Sequence, residues 1–392
     1  MKLNRSRIAS ILPVLMCTEQ TPSSVKTIVV SIRTKTNQED ITEGGHLEKD
    51  FDTDFMAEWW YLNGTAILVA NDGEKKDIGF FVVLAHQESS FFVNPAGKQL
   101  SHMLTFSGFY SDGSTDDFYF AETHVPQDDL DKYIALGTPY AKYLYPDGSK
   151  KFNGSKASGY KLSYTADGLE IDLLFQTNID KTTDQADQPL HFTAYEHSYG
   201  TIQGSILVGS KKYQITQGEG YMDHMIPMTC KGGTWPMDMH GWNWFEVTTE
   251  KYELVAYAVR GIEDGYNNYS YKNLTLLDKH TGKVIAKYSG DEISINETDW
   301  INETKHSRKR PTKITVSTTD LDVVLNAEKV VYYDQSDSIV AAGFVNFMAF
   351  QPHDALIWYK GAMEKGSAFC EYLVTDMAVF TPKINIRGSG GE

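Results

Sequence analysis

Apolar and polar residues alternate along most of the chain after residue 48. One alternating stretch covers residues 62–68, ends at the turn Asn71-Asp72-Gly73 and is followed by a second stretch over residues 78–84. A period of two is typical of a half-buried strand, and this turn between two such stretches favours a hairpin. The same pattern recurs up to residue 380, and no segment of useful length shows helical periodicity. The sequence therefore predicts an all-β fold made of antiparallel hairpins.

The predicted strands form two batches, which a Gly- and Pro-containing stretch over residues 227–236 separates. Regularly spaced short strands in two batches are typical of two antiparallel barrels or sandwiches. The length of 392 residues also exceeds what a single hydrophobic core usually serves. We predict a leader over residues 1–48, an N-terminal barrel over 49–228, a C-terminal barrel over 229–382 and a disordered tail over 383–392.

The composition narrows the possible partners. A net charge of −16 argues against nucleic acid or an anionic membrane surface, and three cysteines are too few for a disulfide framework. No apolar run approaches the roughly 20 residues of a membrane-spanning helix. Lys2, Arg5 and Arg7 precede a short apolar segment over residues 8–17. This is the order of a signal peptide and favours export over a cytoplasmic location. No feature specifies an oligomeric state.

Four of the seven tryptophans lie in two short aromatic stretches, Glu58-Trp59-Trp60-Tyr61 and Gly241-Trp242-Asn243-Trp244. Just before the second stretch stands Tyr221-Met222-Asp223-His224. Tryptophan has a large apolar face and one N–H donor, and its ring can stabilise a cation. Two interpretations stay open. The tryptophans line a cavity for a large apolar ligand, or they pack the ends of the barrels.

Asp223 is the strongest candidate for chemistry. A carboxyl group among apolar neighbours loses solvation, so its pKa rises and it can act as a general acid near neutral pH. His224 would orient this carboxyl or relay its proton. In the alternative interpretation Asp223 caps a turn, and His224 is a core or surface residue. Glu58 and Glu371 are further acids inside apolar strands, where a lone charge is costly.

The sequence lacks the signatures of several enzyme classes. It contains no Gly-x-Ser-x-Gly elbow, no phosphate-binding loop and no dinucleotide fingerprint. The set Asp223, His224, Asp238 and His240 matches no familiar pattern of metal ligands. We therefore predict a protein that uses no metal and no cofactor.

The chain resembles the lipocalin-like family of hydroxyneurosporene synthase, also called carotenoid hydratase. The resemblance runs from residue 55 to residue 380 and rests on motifs in the same order, which are Glu58–Gly64, Tyr195–Gly204, Gly220–His224, Gly241–Phe245 and Tyr359–Gly361 with Glu371. Two positions depart from the family pattern. The family usually has Trp where Tyr221 stands, and Trp-Gly where this chain reads Met225-Ile226-Pro227.

The resemblance implies two consecutive lipocalin-like barrels with a ligand site at or between them. Family activities include water addition to isolated double bonds in carotenoids and prenylated phenolics, and related fungal proteins steer cycloadditions. We therefore predict a cofactor-independent hydratase, or a related acid-initiated enzyme, that acts on an apolar isoprenoid- or polyene-like substrate. Asp223 would protonate the alkene, and a water held by His224 or Glu371 would add. The alternatives are a non-catalytic carrier of a lipid or pigment, and a pericyclase that only preorganises a polyene.

The order of the motifs also predicts where the ligand binds. Ligand pockets favour domain junctions, and Asp223 ends one predicted barrel just before the aromatic strand that opens the next. We expect one largely apolar pocket at this junction, with Asp223 within side-chain reach of Trp242 or Trp244 and with Glu58 or Glu371 on its wall. The expected substrate-binding residues are Glu58, Trp59, Trp60, Tyr61, Tyr221, Trp242 and Trp244.

Overall fold

The structure is a computed structural model in which most of the described residues lie in antiparallel strands. It includes two short 3-10 helices, Gln127–Lys132 and Gly290–Glu292. The all-β prediction is therefore confirmed. The described residues are 43–47, 49, 51, 53–111, 117–166, 168–178, 182–186, 192–230, 239–261, 268–303, 308–327, 331–334 and 344–377.

The first sheet has eleven strands in the order β4-β3-β2-β1-β11-β10-β8-β7-β6-β5, and β9 pairs with β10. The strands are β1 (Phe55–Ala70), β2 (Lys75–Val93), β3 (Gln99–Ser111), β4 (Asp117–Pro126), β5 (Ala141–Leu144), β6 (Lys150–Ser155), β7 (Gly159–Ala166), β8 (Leu169–Thr177), β9 (Thr182–Ala186), β10 (Phe192–Val208) and β11 (Lys211–Cys230).

The second sheet has ten strands in the order β15-β14-β13-β12-β23-β22-β20-β19-β16, and β21 pairs with β22. Two short strands, β17 (Ile301–Glu303) and β18 (Arg308–Arg310), pair only with each other. The remaining strands are β12 (Met239–Thr249), β13 (Tyr252–Gly261), β14 (Tyr271–Asp278), β15 (Val284–Ser289), β16 (Ser294–Thr298), β19 (Lys313–Ser317), β20 (Leu321–Ala327), β21 (Val331–Asp334), β22 (Phe344–Tyr359) and β23 (Ala362–Met377).

The hairpin predicted from Asn71-Asp72-Gly73 joins β1 to β2. Gly73 adopts a φ of +87°, in the left-handed region that glycine enters at least cost. Its N–H donates to the Ala70 carbonyl at 2.9 Å, and the Ala70 N–H donates to the Glu74 carbonyl at 2.9 Å. The turn therefore fixes the register in which Val69 faces Lys75.

The first sheet curls around its own core. The Tyr143 hydroxyl on β5 donates to the carbonyls of Ala85 on β2 and Leu104 on β3, at 3.2 and 3.1 Å. Ser107 on β3 likewise donates to Tyr164 on β7 at 2.8 Å. Strands that are far apart in the sheet order thus meet across one core, as they do in a barrel.

Each sheet has its own hydrophobic core, and a further cluster of buried residues joins the two sheets. We call this cluster the junction cluster. It is defined by seventeen buried apolar residues, which come from the outward faces of β1, β2, β3, β10 and β11 and from β12, β13, β14 and β23. Its members are Phe55, Ala57, Tyr61, Phe81, Val83, Ala85, Leu104, Tyr199, Tyr221, Met225, Trp244, Val255, Tyr257, Val259, Leu277, Phe369 and Leu373.

Several predictions concern residues outside the described ranges. They include the tail over residues 383–392 and all of the leader except residues 43–47, 49 and 51 at its end. The domain limits remain a prediction, although the first sheet spans residues 55–230 and the second spans 239–377. Within the described part of the chain, no helix has the length and hydrophobicity needed to cross a membrane.

Candidate functional site

The side chains of the first aromatic stretch point to two different parts of the molecule, because side chains alternate along a strand. Trp60 belongs to the core of the first barrel, whereas Tyr61 belongs to the junction cluster. Trp59 is half-buried and packs against the junction cluster. Glu58 lies on the same side of β1 as Trp60 and is fully buried.

Glu58 accepts hydrogen bonds from three histidines. The imidazoles of His46, His86 and His224 lie 2.8, 2.8 and 2.9 Å from its carboxylate oxygens. The backbone N–H of His46 donates a fourth bond at 2.7 Å. The Trp60 ring stacks on the His224 ring, with 4.8 Å between their centroids.

The three histidines keep Glu58 ionised. Burial alone would raise its pKa, but the hydrogen bonds from His224, His46 and His86 outweigh burial, and the pKa lies well below its usual range. Glu58 is therefore a firmly held carboxylate and a poor proton donor. Sequence reasoning had singled out Glu58 but missed His86, and it had assigned His46 to the leader.

Asp223 and His224 lie on opposite faces of β11. His224 points into the first barrel, where it meets Glu58. Asp223 is 4% exposed and lies opposite Tyr61 in the sheet register. The pKa values of Tyr61 and Tyr199, both in the junction cluster, are raised mainly by burial and to a smaller extent by nearby acids that include Asp223. The structure therefore brings Asp223 to the junction and separates its carboxyl from the His224 ring. Alternation along a strand explains this separation, because adjacent residues point to opposite faces.

Trp244 is inserted among tyrosines of the first sheet. Its ring centroid lies 5.2 Å from that of Tyr221 and 5.4 Å from that of Tyr61. Tyr199 contacts Tyr221 at 5.2 Å. These distances fall in the range of favourable aromatic pairs. The four buried rings form an aromatic surface next to Asp223.

Glu371 lies beside this aromatic surface. It faces Trp244 across the β12–β23 pair, and the Trp242 indole N–H donates to its carboxylate at 3.1 Å. Burial raises the pKa of Glu371 to about 7, although hydrogen bonds from Trp242 and Tyr61 act in the opposite direction. Glu371 can therefore accept or release a proton near neutral pH.

Two further acids, Glu246 and Glu253, face the junction and were missed by sequence reasoning. Burial and the neighbouring Glu253 raise the pKa of Glu246 well above its usual range. Burial raises the pKa of Glu253 to about 8, and the Lys279 ammonium lies 3.4 Å from its carboxylate. Glu246 follows Trp242 and Trp244 at every second position of an apolar strand, so the three side chains share one face. The same signal that drew attention to Glu371 would have found it.

The predicted site residues therefore fall into two groups. Glu58, Trp60 and His224 lie inside the first barrel. The other group meets at the junction and consists of Trp59, Tyr61, Tyr221, Asp223, Trp242, Trp244 and Glu371. This second group combines buried carboxyl groups with aromatic faces, an arrangement that can donate a proton and stabilise a developing positive charge.

A groove of about 750 Å³ runs over the outward face of the first sheet. Its lining contains none of the predicted site residues. Glu219 lies in the lining and forms an ion pair of 2.9 Å with Lys279, in the turn after β14. The predicted junction pocket is not this groove and remains a prediction. The lining consists of Thr65–Ile67, Asp77–Gly79, Thr201–Gln203 and Thr216–Glu219.

The geometry of the described residues also bears on metal binding. Among them, no group of three or more His, Cys, Asp or Glu side chains is arranged to hold a metal ion. The three imidazoles around Glu58 point at its carboxylate oxygens. Asp238 lies outside the described residues.

Two solved structures have a fold similar to this one. A Nitrosomonas europaea protein described as a candidate AttH has a TM-score of 0.62 and 14% identity, and the match covers 89% of this chain and 98% of that chain. CghA, whose structure was determined with Sch210972, has a TM-score of 0.54 and 10% identity, and the match covers 82% of this chain and 89% of that chain. At these identities the similarity shows the fold alone.

The chain therefore has a lipocalin-like, all-β fold, as the sequence analysis expected. No protein-family model matches the chain, and no curated protein is significantly similar to it. The resemblance to the hydroxyneurosporene synthase family remains a prediction.

Proposed function

We propose that this protein is a cofactor-independent enzyme that starts the hydration of an apolar isoprenoid- or polyene-like substrate by protonating it at the junction of the two barrels. The observation that carries the proposal is the position of a buried acid, Asp223, and a half-buried acid, Glu371, beside one set of aromatic rings. Burial raises the pKa of Tyr61, whose ring contacts Trp244, and both acids add to this shift. Acids and cation-stabilising faces are the two groups that this reaction needs.

Asp223 is the proton donor in this mechanism. The π electrons of the alkene form a C–H bond with its proton, which leaves an Asp223 carboxylate and a carbocation on the neighbouring carbon. The rings of Tyr221 and Trp244 stabilise this cation by about 0.5–2 kcal/mol each. Because the rings are rigidly packed, their orientation toward the cation costs little reorganisation.

Glu371 is the base. The oxygen of a water molecule forms a C–O bond with the cation, and the released proton goes to the Glu371 carboxylate. The proton returns from Glu371 to Asp223 through the Tyr61 hydroxyl, which lies near both carboxyls, and this resets the enzyme. The location of His224 inside the first barrel favours Glu371 over His224 as the group that holds the water.

The proposal is tested with the purified protein and a panel of acyclic isoprenoids and polyenes in oxygen-labelled water, with products identified by mass spectrometry. We expect an alcohol that carries the label, and we expect Asp223→Asn to lower its yield by about 100-fold or more, because general acid catalysis typically contributes that much. Asp72→Asn, in the exposed turn after β1, is the matched control. An unchanged rate of hydration in the Asp223→Asn variant would contradict the proposal.

The same variant distinguishes the two alternative functions. A carrier of a lipid or pigment would bind its ligand equally well with Asn at position 223 and would form no labelled product. A pericyclase would give an unlabelled cyclic product and would lose only part of its rate, because its cavity does the positioning. Mass spectrometry of small molecules that copurify with the protein from its own cells would supply the starting compounds for this panel.

A further inference from the structure

Three acids, of which Glu246 and Glu253 are buried and Glu371 is half-buried, form a diagonal across the junction face of the second sheet. Glu371 faces Trp244 across the β23–β12 pair, and Glu246 lies two residues further along β12 on the same face. Thr248 lies two residues beyond Glu246 on β12, and Glu253 faces Thr248 across the β12–β13 pair. Diagonal neighbours of this kind are about 7–8 Å apart. We call these three residues the acid diagonal.

Three polar residues of the first sheet face the acid diagonal. Asn63, Tyr221 and Tyr199 lie directly opposite one another on the neighbouring strands β1, β11 and β10. The ring of Tyr221 contacts Trp244 of the second sheet at 5.2 Å. The pKa of Tyr199 is raised by burial and then by Glu253 and Glu246. The two sets therefore surround the same small volume.

Three buried polar atoms in this volume have no hydrogen-bond partner among the described residues. They are the Asn63 amide oxygen, the Tyr199 hydroxyl and one carboxyl oxygen of Glu246. The residues are 1%, 3% and 9% exposed. An unmade hydrogen bond of this kind costs about 1–3 kcal/mol. A pure hydrocarbon ligand would leave all three atoms unsatisfied, so their presence points to a ligand with a polar group.

The charge balance indicates what kind of polar group fits. The acid diagonal and Asp223 bring four carboxyl groups to the junction. Lys279 reaches Glu253 at 3.4 Å, but it also binds Glu219 at 2.9 Å on the outer side. A bound ammonium group would supply donors to the three acceptor atoms, and its positive charge would favour ionisation of the carboxyls around it. The surrounding rings of Tyr199, Tyr221 and Trp244 favour the same charge.

We propose that the junction binds a ligand with a cationic nitrogen head, held by Glu246, Asn63 and Tyr199, and an apolar chain that lies against the aromatic rings. This inference rests on the proposed function only in placing the ligand at the junction. It deepens that function by naming the substrate as an amine-bearing isoprenoid or polyene. A neutral hydrocarbon or an anionic amphiphile does not fit the site.

The inference is tested by binding, without turnover. Farnesylamine, farnesol and farnesoic acid share one apolar chain and differ in the charge of the head group. Their affinities are measured below their aggregation concentrations by calorimetry and by quenching of tryptophan fluorescence. We expect the amine to bind at least tenfold more tightly than the alcohol, since a hydrogen bond to a charged group is worth about 1.5–3 kcal/mol. The acid should bind most weakly.

Two variants locate the head group. Glu246→Gln should weaken farnesylamine binding about tenfold and leave farnesol binding unchanged. Tyr199→Phe keeps the ring, removes the hydroxyl and should weaken the amine severalfold. If Glu246→Gln fails to fold, Tyr199→Phe still tests the site. Glu74→Gln makes the same substitution in the exposed turn after β1 and is the control.

Equal affinities for the amine and the alcohol, or an amine preference that survives both variants, would overturn the inference. These outcomes are separate from the failure of the proposed function. A protein that prefers the amine but hydrates nothing would support the cation-binding site and contradict the proposed reaction. A protein that hydrates a neutral polyene and binds the alcohol and the amine equally tightly would support the proposed reaction and contradict the cationic head group of the ligand.

Discussion

At the scale of single residues, Glu371 links the pH to the stability of the fold. Burial raises its pKa to about 7, and unfolding returns the carboxyl to water and to a pKa of about 4.3. The folded chain therefore binds more protons than the unfolded chain between about pH 4.5 and pH 7. The stabilising effect of this bound proton is present at low pH and is lost as the pH rises through 7.

We predict that the free energy of unfolding falls as the pH rises from 5 to 8, and that Glu371→Gln removes part of this slope. The contribution of Glu371 is on the order of 3 kcal/mol, because each pKa unit corresponds to about 1.4 kcal/mol. Glu253, with a pKa of about 8, contributes with the same sign, so some slope should remain. Urea unfolding at several pH values measures the effect. Identical slopes in both proteins would contradict the prediction.

Glu58 differs from Glu371 because it is buried as an ionised carboxylate with a lowered pKa. We predict that Glu58→Gln destabilises the protein by about 3–5 kcal/mol, since removing one charge of a buried, paired set leaves its partners uncompensated. The midpoint of urea unfolding at pH 7 checks this. A loss below about 1 kcal/mol would mean that the histidines rearrange around the amide. Glu74→Gln, in an exposed ion pair, is the matched control and should change stability by less than about 1 kcal/mol.

Much of the residue-level picture could be read from the sequence, and the rest could not. The alternation of Asp223 and His224 already implies opposite faces in a strand. The sequence could not show which face enters the barrel, because both faces of β1 and β11 are buried. The contacts of Glu58 with His46 and His86 depend on sheet register and on a short segment before the first strand. No local pattern contains that information.

At the scale of elements, the third residue of β12 is a glycine that the sheet requires. Gly241 has a φ of +131°, and a Cβ at this position would lie 2.1 Å from the Leu373 carbonyl oxygen. Gly290 has a φ of +53°, but a Cβ there would meet open space. The two glycines therefore share a left-handed backbone and differ in steric crowding.

We predict that Gly290→Ala destabilises the protein by about 1–2 kcal/mol, the usual cost of a side chain in a left-handed conformation. Gly241→Ala should cost clearly more, because the β12–β23 pair must also separate. This separation should disturb the hydrogen bond between Trp242 and Glu371 and change the tryptophan fluorescence. Equal losses of stability in the two variants would contradict the predicted clash.

The element scale is also where the sequence was most informative. Period-two alternation and turns such as Asn71-Asp72-Gly73 predicted hairpins that the structure contains. The strands themselves are longer than the alternating stretches, up to the twenty residues of Lys211–Cys230. Alternation fades along these strands because their inward faces lie in the barrel core and their outward faces lie in the junction cluster, so both faces are apolar.

At the scale of the whole molecule, the junction cluster couples the two sheets. We predict that the described barrels unfold in one transition, and that Trp244→Ala both lowers stability by about 3–5 kcal/mol and separates the transition into two. Calorimetry and circular dichroism would follow the transitions. Trp300→Ala is the control because Trp300 is 46% exposed. A single transition in Trp244→Ala would show that other contacts couple the sheets.

The pairing of first with last strands has a consequence for synthesis on the ribosome. In the first sheet β1 pairs with β11, and in the second sheet β12 pairs with β23. One edge of β1 therefore has no partner until the chain has grown from residue 70 to residue 211. At about 5–20 residues per second this delay is roughly 7–28 s. During that time an apolar strand edge is open to wrong partners, so nascent chains of this protein should depend strongly on chaperones that shield such edges.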